Sequence, residues 1–204
     1  MEKKWIIPGI LILVGILAVA WALFPMEQAN PDPNHTHADF AVYIHNERVD
    51  FSQPQYMSTE TQKRSPYTHL HDGDGEVMHI HALGVTLGLF FHTLDMRLTT
   101  DCFTLDTGAS YCTDETNSLR VYVNGQPIAD GMAYQPQDLD QILITFGDES
   151  PDEIQVQLDS LTDKACIPSK VCPWRGTPED ESSCSSDEGC LIVPPSAYPD
   201  YSTE

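Results

Sequence analysis

The residues best suited to chemistry in this sequence are its histidines. All eight lie between positions 35 and 92, and six of them form three His-x-His pairs: His35/His37, His69/His71 and His79/His81. In a β-strand, residues i and i+2 point to the same face, about 6.6–6.8 Å apart along the backbone. Two neutral imidazoles at that spacing can bind one transition-metal ion, with zinc or copper expected first and nickel or iron also suited.

The second and third pairs flank a short acidic turn, which predicts a β-hairpin. With a three- or five-residue loop, His71 faces His79 and His69 faces His81. Directly opposed residues have Cβ atoms about 4.5–5.5 Å apart, so four rings would share one face. A slip of one residue on one strand would turn half of them away. The predicted metal site therefore depends on the hairpin register, and His35 and His37 are candidates to join it.

The turn between the two pairs carries acids that could support the site. Glu76 and Asp72 are candidate partners that accept a ring N–H from a ligand histidine. Together with Asp74 they also invite a calcium interpretation, but the glycine and distal glutamate of an EF-hand loop are missing. A hairpin turn explains these acids more simply. The lone histidines, His45 and His92, are interpreted as ordinary surface or core residues.

Strands must position the histidine pairs, and the sequence predicts several. Residues 37–51 alternate apolar and polar side chains, and residues 139–146 are rich in Ile and Leu. Residues 119–129 contain Asn124-Gly125, the strongest short hairpin signal in the chain. These patterns predict an antiparallel or mixed sheet of hairpins.

Two short helices are predicted beside the sheet. Thr86 can cap a helix over residues 87–94, and Ser150 precedes a second helix that should end near Lys164. Hairpins combined with one or two short helices predict an α+β fold, and we expect a β-grasp-like arrangement.

Six cysteines point to disulfide bonds in an exported chain. Cys102 and Cys112 flank a turn-like stretch, which predicts a local hairpin bridge. The last four can pair in three ways: Cys166, Cys172, Cys184 and Cys190. A four-thiolate zinc site is less consistent with this spacing, because the tight C-x2–4-C pairs are absent.

The N-terminal segment predicts a membrane anchor. Residues 5–26 carry no charge and supply about 20 apolar residues, enough to span a bilayer as a helix. Lys3 and Lys4 precede the segment and acidic residues follow it, so the N-terminus is expected in the cytoplasm and the rest outside. A cleaved signal peptide is the alternative, although its apolar stretch is usually only about 7–15 residues.

These signals divide the chain into four parts. Residues 1–26 are a cytoplasmic stub and anchor, 27–36 a stalk, 37–163 an extracytoplasmic metal-binding domain, and 164–204 a tail rich in cysteine, proline and acids. Asn34 matches the N-glycosylation acceptor pattern.

The charge of the chain bears on its partners. The formal net charge is −21, from 31 acidic and 10 basic residues. Such a surface attracts cations and repels nucleic acid, so we expect no nucleic-acid partner. Solubility, or adaptation to salty or acidic surroundings, explains the same charge without a ligand.

A short motif resembles one found in cupins. His69, His71 and Glu76 resemble the first cupin metal motif, in which a His-x-His pair is followed by a glutamate. In that family the motif holds iron, manganese, nickel or zinc for oxygenase, isomerase or storage roles. The resemblance implies a metal-dependent oxygenase or hydrolase as one possibility.

A broader set of segments resembles uncharacterised membrane-anchored, histidine-rich extracytoplasmic proteins of archaea and candidate-phylum bacteria. The segments are H-x-H-x-D-F at residues 35–40, H-I-H-A-x-G-V-T-L-G at 79–88, V-Y-V-N-G at 121–125 and C-P-x-R-G at 172–176. The resemblance covers most of the predicted ectodomain and implies a shared layout rather than an activity.

Three functions fit the sequence. The first is a metal-binding module that scavenges an ion or delivers it to a transporter or envelope protein. The second is a hydrolytic or oxidative metalloenzyme, which needs an open metal position and a general base such as Glu76 or Asp72. The third is a metal-free envelope interaction protein whose histidines sense pH.

Overall fold

The computed structural model describes residues 35–59, 61–177 and 191–198. The predicted anchor, the stalk up to Asn34 and the cysteines at 184 and 190 lie outside this described part of the chain. Within it, no helix combines the length and apolar character that crossing a bilayer requires.

Strands dominate the described chain, and two short α-helices accompany them. The strands are β1 (Thr36–Ile44), β2 (Glu47–Arg48), β3 (Thr68–His69), β4 (Val77–Ile80), β5 (Ala82–Leu83), β6 (Arg97–Leu98), β7 (Cys102–Thr104), β8 (Ser110–Cys112), β9 (Ser118–Val123), β10 (Gln126–Ile128), β11 (Gln141–Gly147) and β12 (Leu191–Ile192). The helices are α1 (Leu87–Thr93) and α2 (Pro151–Asp159). The predicted α+β class is confirmed.

The main sheet is mixed, with the order β10-β9-β11-β1-β4-β3, and β2 also pairs with β1. Its two central strands, β1 and β11, run parallel, and the other neighbours along the sheet are antiparallel. The predicted hairpin at Asn124-Gly125 joins β9 to β10 through a two-residue turn, with both residues at positive φ. Two small sheets, β6-β7-β8 and β5-β12, complete the described strands.

One face of the main sheet packs against α1 to form the hydrophobic core. Along β1 the side chains of Ala38, Phe40 and Val42 are buried in this core. Phe40 meets Phe90 of α1 edge to face, with ring centroids 5.2 Å apart. The N-cap of α1 is Thr86, as predicted, since its hydroxyl accepts from the backbone N–H at position 89.

The opposite face of β1 carries the polar side chains of His37, Asp39 and Tyr43. The end of α2 and the segment that follows it contact this face. Ser150 and Glu153 form a reciprocal capping box at the start of α2, which confirms the predicted helix start. The helix ends at Asp159, earlier than the predicted end near Lys164. The chain beyond it turns toward the sheet, where the backbone N–H of Lys164 donates to the Asp39 carboxylate over 2.8 Å.

Two disulfides lie in the described chain. Cys102 and Cys112 are directly opposed in the β7–β8 hairpin, and their bond confirms the predicted bridge. Of the three ways in which the last four cysteines could pair, the structure contains the bond between Cys166 and Cys172.

Part of the predicted tail belongs to the folded unit. Strand β12 pairs in parallel with β5, and Val193, which follows it, is buried in the core. The hydroxyl of Tyr198 donates to the carbonyl of Gly84. The described residues of the tail, 164–177 and 191–198, therefore contribute both core contacts and, as described below, contacts to the histidines.

Candidate metal centre

Three adjacent strands bring the His-x-His pairs together. His37 of β1 lies opposite His79 of β4, and His79 in turn lies opposite His69 of β3. These three histidines form a row across the sheet. His35 and His81 lie just outside β1 and β4, two residues from His37 and His79, and their rings contact each other at a centroid distance of 4.2 Å.

The hairpin register differs from the predicted one by two residues. We expected His71 opposite His79, whereas the backbone partner of His79 is His69. An even shift keeps every side chain on its predicted face, so the clustering of the rings survives. His71 lies just beyond β3, in a turn where the N–H of Asp74 donates to the His71 carbonyl over 3.0 Å. From there its Nε2 approaches His79 Nδ1 to 3.1 Å.

The six paired histidines form a closed circuit of ring contacts. The centroid distances around it are 4.7 Å for His35–His37, 4.7 Å for His37–His79, 3.9 Å for His79–His71, 5.6 Å for His71–His69, 4.7 Å for His69–His81 and 4.2 Å for His81–His35. Every histidine predicted as a ligand is therefore in this cluster.

Three members of the cluster are buried and compact enough to hold a metal ion. One ligand nitrogen from each of His35, His37 and His79 lies within 4.8 Å of the other two. The three residues are 8%, 1% and 4% exposed. Two nitrogens on one tetrahedral zinc lie about 3.3 Å apart, given bonds of about 2.0–2.1 Å. Modest side-chain rotation would bring the three nitrogens onto one ion.

The tautomer of His37 is set by a chain of hydrogen bonds. The Ser169 hydroxyl donates to Asp138 Oδ1 over 2.5 Å, because a carboxylate can only accept. Ser169 Oγ also lies 2.8 Å from His37 Nδ1, so it accepts the proton of that nitrogen. A metal ion would then bind through Nε2 of His37. Asp138 also accepts from the backbone N–H of His37 over 3.0 Å, which holds the start of β1 beside Asp138.

Two further histidines have similar partners at Nδ1. His69 Nδ1 lies 3.3 Å from the Ser65 carbonyl, and His71 Nδ1 contacts the Asp72 carboxylate. Both contacts favour the tautomer in which Nε2 faces the cluster. Asp72 thus lies beside a histidine of the cluster, and its role in orienting that histidine stays a prediction.

Glu76, the other predicted support, is held by two cations. Its Oε1 pairs with Arg48 at 2.7 Å, and its Oε2 pairs with Lys164. Burial alone would raise the pKa of Glu76, but the hydrogen bond and charge of Lys164, aided by Arg48, outweigh it and lower the pKa. A role for Glu76 in orienting a histidine stays a prediction.

Asp39 attaches the segment that carries Ser169 to the sheet. It is buried beside His37 on β1, where Oδ1 accepts from the Thr162 hydroxyl and from the N–H of Lys164. Its Oδ2 accepts from the N–H of Ala165 over 3.0 Å. Burial raises the pKa of Asp39 despite these hydrogen bonds. The Cys166–Cys172 disulfide then closes the loop that contains Ser169.

No local pattern pointed to Ser169 or Asp138, because both lie far from the histidines along the chain. Asp39 had a weaker signal, since it follows His37 by two residues in the same alternating strand. A polar residue at that position indicates a strand face that is not part of the apolar core.

The fold and the site define a mixed α+β domain whose buried histidine cluster could hold a transition-metal ion. No protein-family model, curated protein or solved structure matches the chain. The function is therefore inferred from the geometry and chemistry of the cluster.

Proposed function

We propose that this chain is a membrane-anchored extracytoplasmic protein that binds a first-row transition-metal ion for scavenging or delivery. The observation that carries the proposal is the buried triad of His35, His37 and His79, with ligand nitrogens within 4.8 Å of one another. Zinc and copper are the ions we expect first, because both suit imidazole ligands.

Metal binding gives the cluster a physical purpose. Neutral imidazole nitrogens ligate metal ions, whereas protonated rings packed at these distances would repel one another. Buried polar groups also need partners. The hydrogen bond that His37 Nδ1 donates to Ser169 fixes the orientation of the His37 ring for coordination. The net charge of −21 favours the approach of cations from solution.

The proposed location follows from chemistry outside the site. The two disulfides suit an oxidising compartment. The uncharged segment at residues 5–26, with lysines before it and acids after it, favours a single-pass anchor with the domain outside. The resemblance to anchored, histidine-rich proteins agrees with this layout. A transporter or another envelope protein is the proposed recipient of the ion.

We further interpret the fold as β-grasp-like. In that arrangement the first and last strands of the sheet run side by side in parallel, and a helix packs across one face. Here β1 and β11 are the parallel central pair. Helix α1 packs on the apolar face of the sheet, and in the sequence it follows β4 and precedes β9. This topology supports the interpretation.

A metalloenzyme is the second candidate, because three histidines are also the protein ligand set of some catalytic zinc sites. Glu76 suits the role of general base poorly, since Arg48 and Lys164 stabilise its ionised form. The same ion pairs weaken the case for a cupin-type ligand set with Glu76. Asp72 is the more suitable base, and metal-dependent turnover lost in Asp72→Asn with metal retained would favour this candidate.

Metal analysis of the full-length chain tests the proposal. The protein is made without a His-tag, purified in detergent, stripped with chelator, reconstituted with Zn²⁺ or Cu²⁺ and freed of excess ion. We expect at least one tightly held ion per chain. The double variant H37A/H79A should lose it, because two of the three buried ligands are removed.

His92→Ala is the matched control, because His92 is exposed on α1 and outside the cluster. Circular dichroism establishes that each variant is folded. Substoichiometric metal in the wild type, or equal metal in wild type and H37A/H79A, would reject the proposal.

A further inference from the structure

We propose, as an extension that rests on the metal-binding function above, that the cluster contains two metal positions. The inner site is the buried triad of His35, His37 and His79. The outer site is built from His69, His71 and His81, and it captures the ion from solution before passing it inward.

The two sets differ in their access to solvent. The inner histidines are 8% exposed or less. The three outer histidines are partly exposed, with 18% of the His71 side chain accessible. An ion arriving from solution therefore reaches the outer set first, whereas the inner set is shielded by the sheet and the loop that carries Ser169.

The three outer rings are neighbours in the circuit of contacts. His69 stacks on His81 with centroids 4.7 Å apart, and His71 lies 5.6 Å from His69. The Nδ1 contacts of His69 with the Ser65 carbonyl and of His71 with Asp72 make Nε2 the ligating nitrogen in both. The Asp72 carboxylate, on a side chain 54% exposed, adds negative charge beside the entry point.

Two close contacts connect the two sites, and in one of them the ring centroids of His81 and His35 lie 4.2 Å apart. In the other, the Nδ1–H of His79 donates to His71 Nε2 over 3.1 Å, because Nδ1 of His71 faces the Asp72 carboxylate. An ion held by His71 is thus next to the His79 ring. Transfer is then ligand exchange: the bond to a His79 nitrogen forms as a bond to an outer histidine breaks. The oxidation state of the ion stays the same, and His79 binds through Nε2, so that its Nδ1 keeps the proton.

Titration with Co²⁺, a spectroscopic substitute for zinc, tests this arrangement in the metal-free full-length chain in detergent. The wild type should bind two ions per chain, the second more weakly. The double variant H69A/H71A should bind one, and stopped-flow loading of that ion should be at least about tenfold slower. H37A/H79A should lose the tight ion, and H92A should match the wild type in stoichiometry and rate.

Asp72→Asn keeps all six imidazoles and still offers His71 Nδ1 a carbonyl oxygen as acceptor, so it guards against a folding defect in the double variant. It should bind two ions, the outer one more weakly, and load them several-fold more slowly, because the negative charge beside the entry point is removed. Circular dichroism confirms the fold of each variant.

The outcomes separate this inference from the function on which it rests. Unchanged stoichiometry and loading rate in H69A/H71A would overturn the two-site arrangement and leave metal binding intact. Loss of all metal in H69A/H71A would indicate one shared site and would also overturn it. Absence of stoichiometric Co²⁺, Zn²⁺ and Cu²⁺ from the wild type would reject the metal-binding function itself.

Discussion

At the scale of single residues, the chemistry of the site depends on which ring nitrogen of each histidine carries a proton. The Ser169 hydroxyl donates its hydrogen bond to Asp138, so Ser169 accepts from Nδ1 of His37. The metal-binding nitrogen is then Nε2, held in a fixed orientation. Partners of this kind commonly account for about 10- to 100-fold in metal affinity.

Ser169→Ala should therefore weaken Zn²⁺ binding by about tenfold or more, because His37 loses the acceptor that fixes its tautomer. Competition with a chromophoric chelator measures the change. Ser118→Ala, at an exposed serine in β9, is the matched control and should leave the affinity unchanged. An unaltered affinity in Ser169→Ala would contradict the assigned role of Ser169.

The sequence predicted the clustering of the histidines better than it predicted their hydrogen-bond partners. The i, i+2 spacing keeps the two members of a pair on one side of an extended chain, and an even register shift preserves that side. Ser169 and Asp138 were out of reach, since they lie 132 and 101 residues from His37 in the chain. Contacts at such separations arise from the packing of segments, which local patterns do not specify.

At the scale of elements, Asp39 joins the sheet to the loop that carries Ser169. Its two oxygens accept from the backbone N–H groups of Lys164 and Ala165 and from the Thr162 hydroxyl. The carboxylate thus satisfies donors that would otherwise be buried without a partner. Through this loop, the position of Ser169 is linked to strand β1.

Asp39→Asn should lower the free energy of unfolding by about 1–3 kcal/mol, because an amide NH₂ would meet one of these donors. Urea denaturation followed by circular dichroism measures the loss. Asp148→Asn, at an exposed aspartate, serves as the control. If both variants unfold at the same urea concentration as the wild type, Asp39 does not stabilise the loop as described.

At the scale of elements, the local turns and caps could be predicted from the sequence, but the pairing of distant strands could not. The caps of both helices and the Asn124-Gly125 hairpin were predicted, because each is encoded within a few residues. The predicted register of β3 against β4 was wrong by two residues. The turn between these strands is wide and holds Asp72 and Gly73 at positive φ. The pairing of β1 with β4, which brings in His35 and His37, depends on the whole sheet.

At the scale of the whole molecule, metal binding and folding are coupled. The inner histidines come from β1 and β4, which pair only in the folded sheet. An ion that binds the folded state and has little affinity for the unfolded chain must stabilise the fold. The excess acidic groups behind the net charge of −21 also repel one another in the compact state, and a bound cation reduces that repulsion.

Zn²⁺ at about 100 times its dissociation constant should stabilise the protein by about 2.7 kcal/mol. For a chain of this size the melting temperature should rise by roughly 5–10 °C. Scanning calorimetry measures the shift, and an equal shift in H37A/H79A would indicate binding elsewhere.

Anomalous diffraction from crystals grown with Zn²⁺, with data collected on both sides of the zinc absorption edge, tests the central claim most directly. We predict an anomalous peak about 2.0–2.1 Å from one nitrogen each of His35, His37 and His79. Peaks confined to surface carboxylates, with no anomalous signal among the three imidazoles, would contradict it.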